Sequence, residues 1–152
     1  PDMNVMIVGD GPLRNWVVDL AAAISSERIA VPGWRPDVKV LMKRCRLLVL
    51  PSRYEGMPNV VMEAMASSRP VAVARVEGVN ELLRDVANDQ TFEPGDAKAF
   101  GTLIDRLWRD RELSSSLGKR NRELVAANHS RVSTLDAYQT LYRNLLAGEK
   151  GA

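Results

Sequence analysis

The chain has 152 residues, a length that one domain can fill while burying about 68–70% of the surface its unfolded form exposes. Hydrophobic residues make up 45% and charged residues 26%, both signs are dispersed, and the formal net charge is +2, so the composition is that of a soluble globular domain without a nucleic-acid footprint. A pI near 9.0 permits only weak attraction to anionic surfaces, no apolar run reaches the roughly 18 residues of a membrane span, and the single cysteine, Cys45, excludes a disulfide within the chain and fits a reducing compartment.

Position 1 is Pro rather than Met and a strand-like run follows almost at once, so the chain reads as a piece of something longer. Val5 to Val8 predicts a strand that stops at Gly9-Asp10-Gly11-Pro12, a turn whose glycines serve chain reversal. Leu13 to Ile24 predicts a helix with Pro12 at its first turn, and Ile29 to Val31 a second strand ending at Pro32-Gly33. Val38 to Cys45 follows as a helix that Asp37 could cap. Its basic cluster Lys43, Arg44 and Arg46 reads as a solvated helix end, and Cys45 as a packed thiol.

A third strand, Leu47 to Leu50, stops at Pro51-Ser52; a helix from Pro58 to Ser67 follows; a fourth strand, Val71 to Ala74, comes after Pro70. Asn80 to Arg84 predicts a short helix, with Glu81 serving its first turn, and Thr91-Phe92 a weaker fifth strand. The rest is helical. Phe100, Leu103, Ile104 and Leu107 share a helical face after Asp96, a fitting N-cap; helices from about Glu112 to Ala127 and about Val132 to Leu146 follow. The last carries Leu135, Tyr138, Tyr142 and Leu145 on one stripe, most simply core packing, and His129, without partners at ligand spacing, reads as a helix-end residue. Residues 1–147 are thus expected to form one domain, and 148–152 a flexible tail. Alternating strands and helices mean a parallel sheet with flanking helices.

In such a sheet, ligands bind beyond the carboxyl ends of the strands. The loop after Leu50, Pro51-Ser52-Arg53-Tyr54-Glu55-Gly56-Met57-Pro58-Asn59, runs straight into a helix. Glycine lets backbone approach a ligand, and a helix start offers free N–H groups to an anion. Pro58 has no N–H, so the donors are those of Gly56, Met57, Asn59 and Val60, a set suited to a diphosphate. Carboxylates accept from vicinal hydroxyls, which makes Glu55 and Glu63 candidates for sugar and ribose contacts; spacing alone equally allows a helix-dipole partner at Glu55 and a solvated residue at Glu63.

Residues 51 to 66, PSRYEGMPNVVMEAMA, resemble the signature of the retaining family four glycosyltransferases, which have the GT-B fold and carry two glutamates separated by seven residues. The resemblance extends to Val8-Gly9-Asp10-Gly11-Pro12, Gly33-Trp34-Arg35-Pro36-Asp37, Pro70-Val71-Ala72-Val73 with Gly78 and Glu81, and Glu93-Pro94-Gly95-Asp96, five blocks in the family's order over about residues 5 to 110. It implies a Rossmann-like α/β domain with a helical C-terminal third, the donor-binding part of an enzyme that moves a sugar from a nucleoside-diphosphate sugar to an acceptor hydroxyl with retention. It also implies bacterial glycoconjugate or polysaccharide biosynthesis, a cytoplasmic location, and peripheral contact of the full-length enzyme with the inner membrane face.

By the same resemblance Glu55 contacts the donor sugar near the reacting face, Glu63 holds the ribose, the amides of Gly56 to Val60 receive sugar and phosphate, and Arg35 and Trp34 neighbour the base. Trp34 as a core residue and Arg35 as a surface ion-pair residue remain open alternatives. No metal and no cofactor are implied. The family usually has Gly where Ser68 stands, so a positive φ would be mildly strained there. It also has a preceding βα unit with a basic diphosphate clamp, and an N-terminal acceptor domain, neither within these residues. The chain alone is therefore expected to bind nucleotide weakly and to be inactive. The alternative is a nucleotide-sugar-binding or assembly module without catalysis.

Overall fold

The computed structural model describes residues 2–25 and 27–148; of the expected tail, only Gly148 falls among them. The chain divides into two compact units, Pro1–Leu41 and Met42–Ala152. In the first, β1 (Val5–Val8) and β2 (Ile29–Gly33) pair in parallel around α1 (Arg14–Ser25), with Val5 opposite Ile29 and Met6 opposite Ala30. The register then slips so that Val8 faces Gly33. β2 runs on through Pro32, where the sequence suggests a stop; in a two-stranded sheet it has one paired edge, and proline is tolerated on an edge strand. Gly9, at φ 140°, donates its N–H to the Gly33 carbonyl at 3.0 Å, and the Asp10 carboxylate accepts from Gly11 N–H at 2.8 Å. The Gly9–Gly11 turn is thus occupied with its own chain reversal.

The second unit holds a three-stranded parallel sheet in the order β3 (Leu48–Leu50), β4 (Val71–Ala74), β5 (Thr91–Phe92). All of β4 is buried, as befits a central parallel strand covered on both faces. Ala72 and Ala74 share one core with Phe92, Leu103, Leu107 and Leu117 of β5, α6 (Ala97–Arg109) and α7 (Arg111–Asn128). α3 (Asn59–Ala66) packs on β3, β4 and α7, burying Val61, Ala64 and Met65. Asp96 caps α6 as its position predicts, accepting from Ala99 N–H at 2.8 Å, and Asp110 caps α7 in the same way at 2.9 Å. Between β4 and β5 the chain makes α4 (Val79–Leu83), a 3₁₀ turn over Arg84–Val86 and α5 (Ala87–Gln90), more helix than the sequence predicts.

The return from α3 to β4 carries the expected anomaly, since Ser68 has φ 56°. Its carbonyl lies against α7, where a Cβ on Gly118 would strike the Ser68 oxygen and stand 2.9 Å from its carbonyl carbon. Glycine at 118 therefore allows α7 to press on this turn. Beside it lies a fully buried amide pair that no local pattern announces. Gln90 Oε1 accepts from Val71 N–H and from Asn121 Nδ2, both at 2.9 Å, while Gln90 Nε2 donates to Asn121 Oδ1 at 2.8 Å and Asn121 Nδ2 also donates to the Arg69 carbonyl at 2.9 Å.

Three expectations change. The cluster at the end of α2 (Val38–Arg44) is only partly a solvated helix end, because Arg46 is half-buried, stacks over the Trp108 ring at 4.2 Å and donates to the Trp108 carbonyl. Asp37 precedes α2, and its carbonyl accepts from Val40 and Leu41 N–H, but its carboxylate is taken by Arg35. α8 (Arg131–Leu146) does present Leu135, Tyr138, Tyr142 and Leu145, yet none of its residues is buried, so the stripe is exposed rather than core.

Cys45 is half-buried, its thiol donates to the Met42 carbonyl at 3.3 Å, and desolvation pushes its pKa up. The thiolate fraction at pH 8 falls accordingly, so native protein is expected to react with iodoacetamide several-fold more slowly than the same protein in urea, as counted by mass spectrometry.

Candidate functional site

β3 ends at Leu50, and residues 51–58 turn the chain into α3. Pro58 is buried at the N-cap with φ −73° and ψ 103°, one position earlier than a first-turn residue. An N-cap is usually Ser, Thr or Asp, whose oxygen takes one of the first helical N–H groups. Proline has none to offer. Its carbonyl accepts from Val61 at 3.0 Å and Met62 at 3.4 Å, which leaves the N–H groups of Gly56, Met57, Asn59 and Val60 without an acceptor among the described residues. The four donors singled out from the sequence thus lie on one turn, at the positive end of a helix dipole.

Glu55, just ahead of that turn, is half-buried and has no hydrogen-bond or ion-pair partner among the described residues. Glu63 is exposed one turn into α3, beside the buried Ala64. Met57 and Asn59 are exposed and Val60 is half-buried. The loop after β4 stands behind the turn: Gly78, at φ 76°, caps α4 and lies so close to Gly56 that a Cβ there would strike the Gly56 carbonyl oxygen. Glu81 occupies the exposed first turn of α4, where its charge suits the helix dipole.

Trp34 and Arg35 belong to the first unit and follow β2. Trp34 is 69% exposed, which removes the core alternative. Arg35 does make the surface ion pair: Nε and Nη2 each donate to Asp37 at 2.7 Å, holding the Asp37 carboxyl below the usual aspartate range, chiefly through the hydrogen bond. Two of the five guanidinium N–H groups serve that pair, so others remain for a ligand. His129 is the C-cap of α7, a helix end as expected. No described helix is long and apolar enough to cross a membrane.

Residues 1–110 match the family model of the glycosyl transferases group 1. Over 98% of its length the chain is 29% identical to an Escherichia coli UDP-galactose-dependent α-1,3-galactosyltransferase acting on an N-acetylglucosamine-diphosphoundecaprenol, and to the N-acetyl-α-D-glucosaminyl L-malate synthase of Bacillus anthracis, in each case covering 39% of that protein. Among solved structures, the sucrose-phosphate synthase of Thermosynechococcus elongatus superposes with a TM-score of 0.82 at 27% identity, over 94% of this chain and 38% of that one. The Anabaena protein HepE in complex with UDP superposes at 0.78 with 25% identity, over 97% and 42%. The chain therefore spans about two fifths of the length of the relatives it matches. Its structural neighbours are GT-B glycosyltransferases, and its parallel sheets with flanking helices are α/β as the sequence predicts.

Proposed function

The chain belongs to the group 1 glycosyl transferases, and from that membership we propose that residues 1–147 are the donor-binding domain of a retaining enzyme that passes a sugar from a nucleoside-diphosphate sugar to an acceptor hydroxyl. The observation that carries this reading is the turn of four unpaired amides at Gly56, Met57, Asn59 and Val60, with Glu55 ahead of it and Glu63 one turn beyond. Diphosphate oxygens fit such donors, which receive charge as the leaving group departs without having to reorganise. In this reading Glu63 accepts from ribose hydroxyls and Glu55 accepts from the donor sugar near the anomeric carbon. The C–O bond to the diphosphate breaks, the acceptor oxygen takes the anomeric carbon through an oxocarbenium-like transition state, and the acceptor hydroxyl's proton passes to the departing diphosphate oxygen. The acceptor site belongs to the remainder of the whole protein, so the 152-residue chain is expected to bind nucleotide weakly and not to turn over.

UDP is the first probe, because one relative is named for UDP-galactose and one neighbour was solved with UDP. Titrating ¹⁵N-labelled protein with UDP, GDP and ADP should move the amide signals of Gly56, Met57, Asn59 and Val60 for at least one nucleotide; no movement with any of them rejects the reading. Glu63→Ala should then weaken that nucleotide's binding by about 1–3 kcal/mol through lost hydroxyl hydrogen bonds, as measured by calorimetry. Equal affinity would remove Glu63 from the ribose.

A further inference from the structure

The contact between Gly78 and Gly56 goes beyond packing. A Cβ built on Gly78 would meet the Gly56 oxygen first, then its carbonyl carbon at 3.1 Å and the Met57 Cα at 3.4 Å, so the Gly56 carbonyl points at Gly78 with its oxygen foremost. No described peptide bond is cis. In a trans peptide the C=O and the following N–H point in opposite directions. The Met57 N–H is therefore directed away from Gly78, and it is one of the four donors without an acceptor among the described residues. Gly78 itself sits at φ 76°, a conformation that glycine adopts freely and other residues adopt at a cost.

We propose that Gly78 is a positioning residue for donor binding: by leaving room for the Gly56 carbonyl, the loop after β4 fixes the plane of the Gly56–Met57 peptide and so aims the Met57 N–H at the diphosphate. The proposal rests on the donor-binding reading of the turn. Any side chain at 78 must push that carbonyl aside and turn the peptide, redirecting the Met57 N–H while leaving Asn59 and Val60, which belong to α3, in place.

Gly95 supplies the matched control, since it has φ 88° with no atom within 4 Å of a built Cβ and so carries the backbone penalty without the contact. Wild type, Gly78→Ala and Gly95→Ala, each ¹⁵N-labelled and checked for folding by its spectrum, are titrated with UDP, GDP and ADP. For whichever nucleotide binds wild type, Gly78→Ala should bind about tenfold more weakly, as expected for one hydrogen bond to a charged group, and should lose the ligand-induced shift of Met57 while keeping those of Asn59 and Val60. Gly95→Ala should bind like wild type. If Gly78→Ala does not fold, Gly78→Asn tolerates positive φ better and still carries the Cβ, so it takes its place. A Gly78 variant with wild-type affinity and an unchanged Met57 shift overturns the proposal, as does an equal loss in Gly95→Ala. Wild type that binds none of the three nucleotides overturns the donor-binding reading itself, and this proposal with it.

Discussion

In the whole enzyme, Glu55→Gln is expected to lower kcat about 10²-fold, equivalent to about 2.7 kcal/mol of transition-state stabilisation, with the donor KM little changed. The carboxylate stands half-buried at the mouth of the amide turn without a protein partner among the described residues, so its hydrogen-bonding capacity is available to a ligand. On the proposed donor-binding reading, positive charge gathers on the sugar ring only as the bond to the diphosphate stretches, and a fixed negative charge nearby helps most at that moment. Glutamine keeps the shape and one acceptor oxygen but removes the charge, so ground-state contacts survive while the transition state loses its counter-charge. The check is steady-state kinetics of the full-length variant beside its melting temperature, which should stay close to wild type because no protein contact is lost. An unchanged kcat would leave Glu55 as a helix-dipole partner of α3.

The components of the candidate site were legible as a local pattern because each is close to the next in sequence. Glycine before a helix start, proline in place of a capping side chain, and two glutamates on either side are all read from one stretch of 16 residues, 51–66, in which the amides of Gly56, Met57, Asn59 and Val60 have no acceptor among the described residues. What the sequence could not reveal is the support from outside. Gly78 lies 22 residues beyond Gly56, and only the return of the chain through β4 brings the two together. Gly78 was visible in the sequence as part of a block that resembles the family; its contact with Gly56 was not. Arg35 shows the opposite case, since its ion-pair partner is two residues away and the alternative could be stated in advance.

Fold elements were legible where the apolar period is strong and the ends are punctuated. β4, α3 and α6 fall within a residue or two of their predicted limits because Pro70, Pro58 and Asp96 mark them. Residues 85–90 were not legible as helix: Arg84 before them takes φ 49°, and the turns that follow are held by burial of Ala87 and Gln90 rather than by an amphipathic period. α8 failed differently. Its stripe was correctly found, but periodicity says which residues share a face and not what covers it.

The buried amide pair is expected to give a large stability effect on single substitution. Leucine in place of Asn121 removes the acceptor of the buried Gln90 Nε2 and the donor to the Arg69 carbonyl. At about 1–3 kcal/mol for each orphaned group, Asn121→Leu should cost about 2–6 kcal/mol, a large part of the roughly 5–15 kcal/mol that stabilises an ordinary domain. Urea unfolding followed by circular dichroism would measure it. Gln90→Leu should cost a similar amount, because it strands Val71 N–H at the entry to β4 together with the Asn121 amide. The double variant should cost less than the sum of the two, since each single change leaves the other amide unsatisfied and the double change removes both. Strict additivity, or a loss below about 1 kcal/mol in either single variant, would mean that the pair does not act as a unit. Because these bonds sit at the start of β4 while Gly78 follows its end, a folded Asn121→Leu protein is expected to keep the Met57 amide response to nucleotide, separating the strength of the scaffold from the aim of the turn it carries.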